Sequence, residues 1–216
     1  MRFRRLLFLL VPIPVLQLQA QQAPVPQASS KPRPGPSHAK ASVPDAGSIN
    51  DSVYRNTYFG FTYKLPLAWV DRTPDMQADS DAAKGLVLLA IFERPPEAQG
   101  ETVNSAVIIA AEPVASSPGL KSAADYFGPL TELTTAKGFK VVSTPYKFAL
   151  GGRPSVRGDF SKDLGKLTMQ QASLVELARG YVVSFTFLSG SAEEADALIE
   201  RLSFAGGSSG KRPRSD

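Results

Sequence analysis

Residues 59–70 read FGFTYKLPLAWV, and with the residue before them they bring Tyr58, Phe59, Phe61, Tyr63 and Trp69 into one short stretch. Alternation puts Phe61, Tyr63 and Leu65 on one side of an extended chain, the period of a half-buried strand. Pro66 ends that strand because it withholds a ladder donor. Trp69 follows the proline, and its indole is expected to fold back over the sheet edge as packing, with ligand stacking as the other use of such a ring. The stretch therefore reads as the first core strand of a domain and marks where that domain begins.

Downstream of it, short apolar runs continue to Phe204. GLVLLAIFER (85–94) and SAVIIAAEPV (105–114) are dense enough to be central strands covered on both faces. The turn-rich ERPPEAQGETVN between them reads as a loop. SAADYFGPLTELTTAKG (122–138) predicts a helix opened by Ser122 and Asp125 and closed by Gly138, with Tyr126, Leu130 and Leu133 on one face. Gly128–Pro129 is expected to kink or split it. KVVSTPYKFAL then passes through Gly151–Gly152 into RPSVRGDFSK, a hairpin signal, and LTMQQASLVELA passes through Arg179–Gly180 into YVVSFTFLS, a second one. In the last of these runs Tyr181, Val183, Phe185 and Phe187 share a face. SAEEADALIERLSF opens with a capping box, Ser191 and Glu194, and carries the stripe Ala195, Leu198, Ile199 and Leu202. Three strands, a helix, four strands and a helix, joined mostly by hairpins, predict an α+β domain with a mainly antiparallel sheet and helices laid on it.

The ends differ from this middle. Of the net charge of +4, residues 1–20 carry +3, 21–52 carry +1, 53–205 carry −2 and 206–216 carry +2. The basic balance belongs to the ends, so the domain is not expected to bind nucleic acid. MRFRRLLFLLVPIPVLQLQA (1–20) has the positive start, apolar centre (Leu6 to Leu16) and small residue (Ala20) of a secretory signal. Its apolar run is too short to span a bilayer, and no later run approaches that length. Export to the periplasm or outside the cell is the expectation, with no stable membrane insertion after cleavage. Residues 21–52, rich in Pro, Ala, Ser and Gln, read as a disordered tether that includes the one histidine, His38. Residues 206–216 read as a flexible tail with Lys211, Arg212 and Arg214 as a small basic tag.

The openings YRNTYFGFTYKLPLAWV (54–70) and ALGGRPSVRGDF (149–160), with the closing GYVVSFTFLSGSAEEADALIERLSF (180–204), resemble landmarks of the PsbP-like domain family, the Mog/PsbP-type fold. The resemblance covers nearly all of residues 53–205. It implies an α/β/α sandwich around a central, mainly antiparallel sheet of about six or seven strands. It also implies a mostly non-catalytic group: accessory subunits of the oxygen-evolving complex, a Ran-binding relative and exported bacterial proteins of unknown role. With no histidine in residues 53–205, no histidine-containing metal site carries over from it.

Chemistry is sparse. The absence of cysteine removes disulfides, thiolate metal sites and cysteine nucleophiles. A serine triad would have no histidine base within the domain, and neither a P-loop nor G-x-G-x-x-G occurs. Asp75, Asp79 and Asp81 cluster near Lys84 but fall short of a calcium loop. No catalytic residue, cofactor or metal is expected. The candidates for ligand binding are Tyr146, Arg153, Arg157 and Asp159, polar residues around the 151–152 turn, where a scaffold can present function. The function that follows is an exported, non-catalytic domain that binds or assists another envelope protein. The alternative is a hydrolase using a carboxylate or metal site without a recognisable motif.

Overall fold

The structure is a computed structural model that describes residues 44–79, 85–95, 97–98 and 100–204. The leader, most of the tether with His38, the residues Asp81 and Lys84, and the basic tail lie outside the described residues. Among the described residues, two sheets and three α-helices make an α+β fold.

The smaller sheet comes first. β1 (Ser48–Asn50) pairs with β2 (Val53–Asn56) through Asp51 and Ser52, both in the left-handed region at φ 50° and 58°. The tether expected to reach residue 52 is thus already a strand at 48–50. All three residues of β1 are exposed, so no apolar alternation announces it. β2 pairs with β3 (Phe61–Lys64), the strand of the opening stretch, and β3 receives its other neighbour from the far end of the chain, β12 (Leu202–Phe204). Phe61 and Tyr63 are buried as the alternation requires, and Trp69 lies half-buried against the same core.

The larger sheet has eight strands, one or two more than expected, and the four-stranded companion was not foreseen. After β4 (Val70–Asp71) comes α1 (Thr73–Ala78), then β5 (Leu86–Phe92) and β6 (Ala106–Pro113). α1 stoppers the sheet edge beyond β4. Thr73 Oγ1 accepts from the Ala90 amide at 2.8 Å, and Gln77 Oε1 accepts from that of Val87 at 2.7 Å. Capping an edge with acceptors in this way keeps it from templating another strand.

α2 (Phe127–Ala136) begins later than its sequence suggested. Gly128 and Pro129 neither kink nor split it, because they fall in its first turn, where amides have no helical partner to lose. Asp125 caps the preceding turn, accepting from the amides of Lys121 and Ser122 at 2.9 and 2.8 Å. The buried face consists of Phe127 and Thr134, while Leu133 is 57 % exposed. Gly138, at φ +86°, ends the helix as expected.

β7 (Lys140–Val141), β8 (Tyr146–Leu150), β9 (Arg153–Leu164), β10 (Leu167–Ala178) and β11 (Tyr181–Ser189) complete the sheet in the order β4-β5-β6-β11-β10-β9-β7, with β8 also on β9. Both expected hairpins form. Gly151 and Gly152 have φ +56° and +84°, and Arg179 and Gly180 have +52° and +82°, the backbone a tight two-residue turn demands. α3 (Ala192–Ile199) is capped by Ser191, which accepts from the Glu194 amide, but the Glu194 carboxylate reaches back to Gly190 rather than Ser191. Leu202, counted in the helical stripe, belongs to β12 instead.

One face of the large sheet, with Leu174, Val183, Phe185 and Phe187, is covered by the small sheet and α3. The opposite face carries Val175 and Val182 under Phe127 of α2. Gly158 in β9 makes room for that ring: a Cβ there would lie 2.6 Å from Phe127. The layers therefore match the sandwich expected, with the small sheet sharing one outer layer with a helix. No helix among the described residues is long and apolar enough to cross a membrane.

Candidate functional site

β9 runs from the 151–152 turn across the edge of the large sheet, and its alternation decides where the candidates point. Residues 157 and 159 pair with Leu174 and Ala172, so they project to the face covered by α3. Tyr146, opposite Arg157 on β8, joins them on that side.

Three of the four candidates form one network. Asp159 Oδ1 accepts from Arg157 Nε at 2.9 Å, and Oδ2 accepts from the Tyr146 hydroxyl at 3.2 Å and from Ser143 Oγ at 3.1 Å. Arg157 also donates from Nη1 to Asp196 Oδ1 of α3 at 2.7 Å, and its guanidinium lies 5.5 Å from the Phe148 ring centre. Burial works against the Arg157 charge, but the bonds to Asp196 and Asp159 outweigh it and raise its pKa above the ordinary value. Partial burial, with the Asp159 carboxylate close by, likewise raises that of Tyr146. Asp159 Oδ1 accepts one of these hydrogen bonds and Oδ2 accepts two, so both oxygens are engaged within the network. Tyr146 keeps 40 % of its surface exposed.

Arg153 stands apart from this network and does a different job. Its Nη1 and Nη2 donate to the carbonyl oxygens of Phe59 and Gly60 at 2.9 and 3.1 Å, and its guanidinium sits 4.3 Å over the Phe204 ring. It therefore clips the aromatic turn of the small sheet to the large one. Its ion-pair partner is Glu176 of β10, at 3.4 Å. Glu176 is only 3 % exposed, and burial raises its pKa although Arg153 opposes the shift.

Glu176, Ser143 and Asp196 escaped the sequence reading. The first has a faint signal, a lone charge inside the apolar run SLVELA. Asp196 sits on a helix 39 residues from its partner Arg157, and nothing local links them. Of the acidic cluster, Asp75 is paired with Arg72 at 2.7 Å. Among the described residues, no group of three or more His, Cys, Asp or Glu side chains is placed to hold a metal.

The titration of Glu176 carries a testable sign. Its folded pKa lies above its unfolded value, so the folded state holds the proton more tightly. Stability then falls as pH rises from the ordinary carboxylate value of about 4.5 through the raised one. Glu176→Gln is expected to flatten that fall in denaturation midpoints measured from acid to neutral pH. An unchanged slope would show that this carboxylate does not supply it.

Two open grooves flank these residues. One, of about 720 Å³, is lined by Ala123, Lys147, Ala149, Pro154, Val156 and Leu177 among others. The other, of about 350 Å³, lies on the small sheet between Arg55, Phe61 and Phe204.

No protein-family model matches the chain, and no curated protein sequence matches it. Its structure is similar to that of cyanobacterial PsbP (CyanoP) from Synechocystis sp., at 16 % identity and a TM-score of 0.47, over 79 % of this chain and 100 % of that one. It is also similar to the Ran-binding protein Mog1p of Saccharomyces cerevisiae, at 11 % identity and a TM-score of 0.42, over 73 % and 86 % of the two chains. LpqN of Mycobacterium tuberculosis, described as involved in cell envelope biogenesis, overlaps at 15 % identity and a TM-score of 0.37, over 67 % and 83 %. PsbP and Mog1p are the group that residues 53–205 resemble in pattern, and at these scores no functional property follows from the overlap.

Proposed function

We propose that the chain is an exported, non-catalytic domain that binds another component of the cell envelope through the β7–β8 side of its large sheet. The observation that carries this reading is the state of the polar residues there. Asp159 and Arg157 neutralise and position each other, while the surface beside them is apolar: Val141, Val142 and Tyr146 are 48 %, 59 % and 40 % exposed. Ion pairs closed on each other next to exposed apolar side chains suit a partner surface. Export rests on the leader-like composition of residues 1–20.

The test is retention from an envelope extract on the immobilised full chain, compared with Tyr146→Ala and Val142→Asp. Both substitutions are at exposed positions and are expected to abolish retention while leaving the thermal midpoint near that of the parent. Steady turnover of an ester, peptide or glycoside, lost on one point substitution, would overturn the reading. A fusion of residues 1–52 to a reporter that is active only outside the cytoplasm checks export separately.

A further inference from the structure

The two edges of the large sheet are treated differently. The β5 edge is closed by β4 and by the side-chain acceptors of α1. β8 pairs with β9 alone, and no other strand lies on its outer side among the described residues. The turn at Gly151–Gly152 makes Leu150 and Arg153 a hydrogen-bonded pair, and bonding alternates from there. Phe148 and Tyr146 therefore bond to β9, whereas Lys147 and Ala149 turn their amides and carbonyls to the open edge.

Pro154 shapes the ground beside that edge. It has no amide to offer β10, and the β9–β10 ladder stops at Val156↔Val175. Where the ladder ends, the groove of about 720 Å³ opens, floored by Ala149, Pro154, Val156 and Leu177, the last of these 39 % exposed. Lys147 projects on the same side, since it pairs with Val156. No carboxylate lines the groove, and Lys147 has no ion-pair partner among the described residues.

We infer that β8 accepts an extended segment of a partner protein as an added strand. The segment places alternate apolar side chains on the Ala149–Pro154–Leu177 shelf and a carboxylate against Lys147. An open edge supplies the main-chain bonds of such recognition, and a shelf beside it supplies specificity. The unanswered cation selects an acidic segment. It also selects against a second copy of this chain, because β8 carries Lys147 as its only charge. The inference rests on the binding role proposed above and specifies its mode.

The test is to pan a phage-displayed library of random linear peptides against the immobilised full chain, then measure the selected peptides by fluorescence anisotropy. The selected sequences are expected to alternate β-branched or aromatic residues with polar ones and to contain Asp or Glu. Bound peptide should slow hydrogen exchange at the amides of Lys147 and Ala149 and leave that of Phe148 unchanged. Ala149→Pro removes a donor that faces away from β9, and it should weaken binding about tenfold. Lys147→Glu, a change at an exposed position, keeps the test independent of any folding defect in the proline variant: it should turn the selection toward Lys- or Arg-bearing peptides.

Failure to enrich any peptide, protection that maps to β1 or α2, or unchanged affinity in both variants would overturn the inference. So would self-association of the chain that protects the same two amides. An envelope component held equally by parent and Ala149→Pro overturns strand addition while leaving the binding role in place. If the parent retains nothing from the extract, the binding role itself falls.

Discussion

Replacing Phe61 by Ala is expected to lower stability by about 3–5 kcal/mol, the range for truncating a large buried aromatic side chain. Phe61 is 2 % exposed and stands where three parts of the chain meet. Its ring lies 5.4 Å from Phe185 of the large sheet, 6.1 Å from Phe204 of β12 and 5.8 Å from Tyr54 of β2. Truncation leaves a cavity between the two sheets that neither can close, since each is held by its own backbone ladder. Chemical denaturation monitored at Trp69 should show the midpoint displaced with an unchanged slope. A loss below 1 kcal/mol would mean that the small sheet contributes little to the fold.

The second large effect belongs to Arg153. Arg153→Ala removes the donors to the Phe59 and Gly60 carbonyls, the stacking on Phe204 and the one ion-pair partner of Glu176 among the described residues. Removing one member of a buried pair costs about 3–5 kcal/mol because the other charge is stranded. The Arg153 side chain is 31 % exposed, so water can answer part of the loss and about 2–3 kcal/mol is expected. Adding Glu176→Gln should recover part of it, because the stranded charge is then gone. Arg153→Lys should recover less than the parent, since an ammonium cannot fork to two carbonyls. If Arg153→Ala left stability intact but abolished partner retention, Arg153 would be a binding residue after all.

Much of the large sheet was legible because its signals are local. A two-residue turn needs only two positions that tolerate positive φ, and both glycine-bearing turns announced their hairpins. The misreadings share one origin. Pro129 reads as a helix interruption from sequence, although its cost depends on whether it stands in the first turn, and that depends on where the preceding Asp125-capped turn stops. Leu202 continued the helical spacing of Leu198 and Ile199, yet pairing with Tyr63 draws it into a strand. Of the candidate ligand-binding residues, the structure joins Tyr146, Arg157 and Asp159 in one network. Arg153 was grouped with them by proximity in sequence, although its guanidinium is turned toward the small sheet.

Residue order alone determined the hairpins, the face shared by Val183, Phe185 and Phe187, the capped start of α3 and the net positive balance of the chain ends against a slightly acidic middle. Each of these follows from backbone preference, side-chain period or simple counting within a few positions. Only the tertiary structure decided that β3 pairs with β12, that Arg153 is a clip, that Asp196 completes the Arg157 network and that one sheet edge is stoppered while the other is open. Those features join residues far apart in the chain. Their energy comes from burial and from satisfying polar groups, and neither exists until the two sheets have closed on each other.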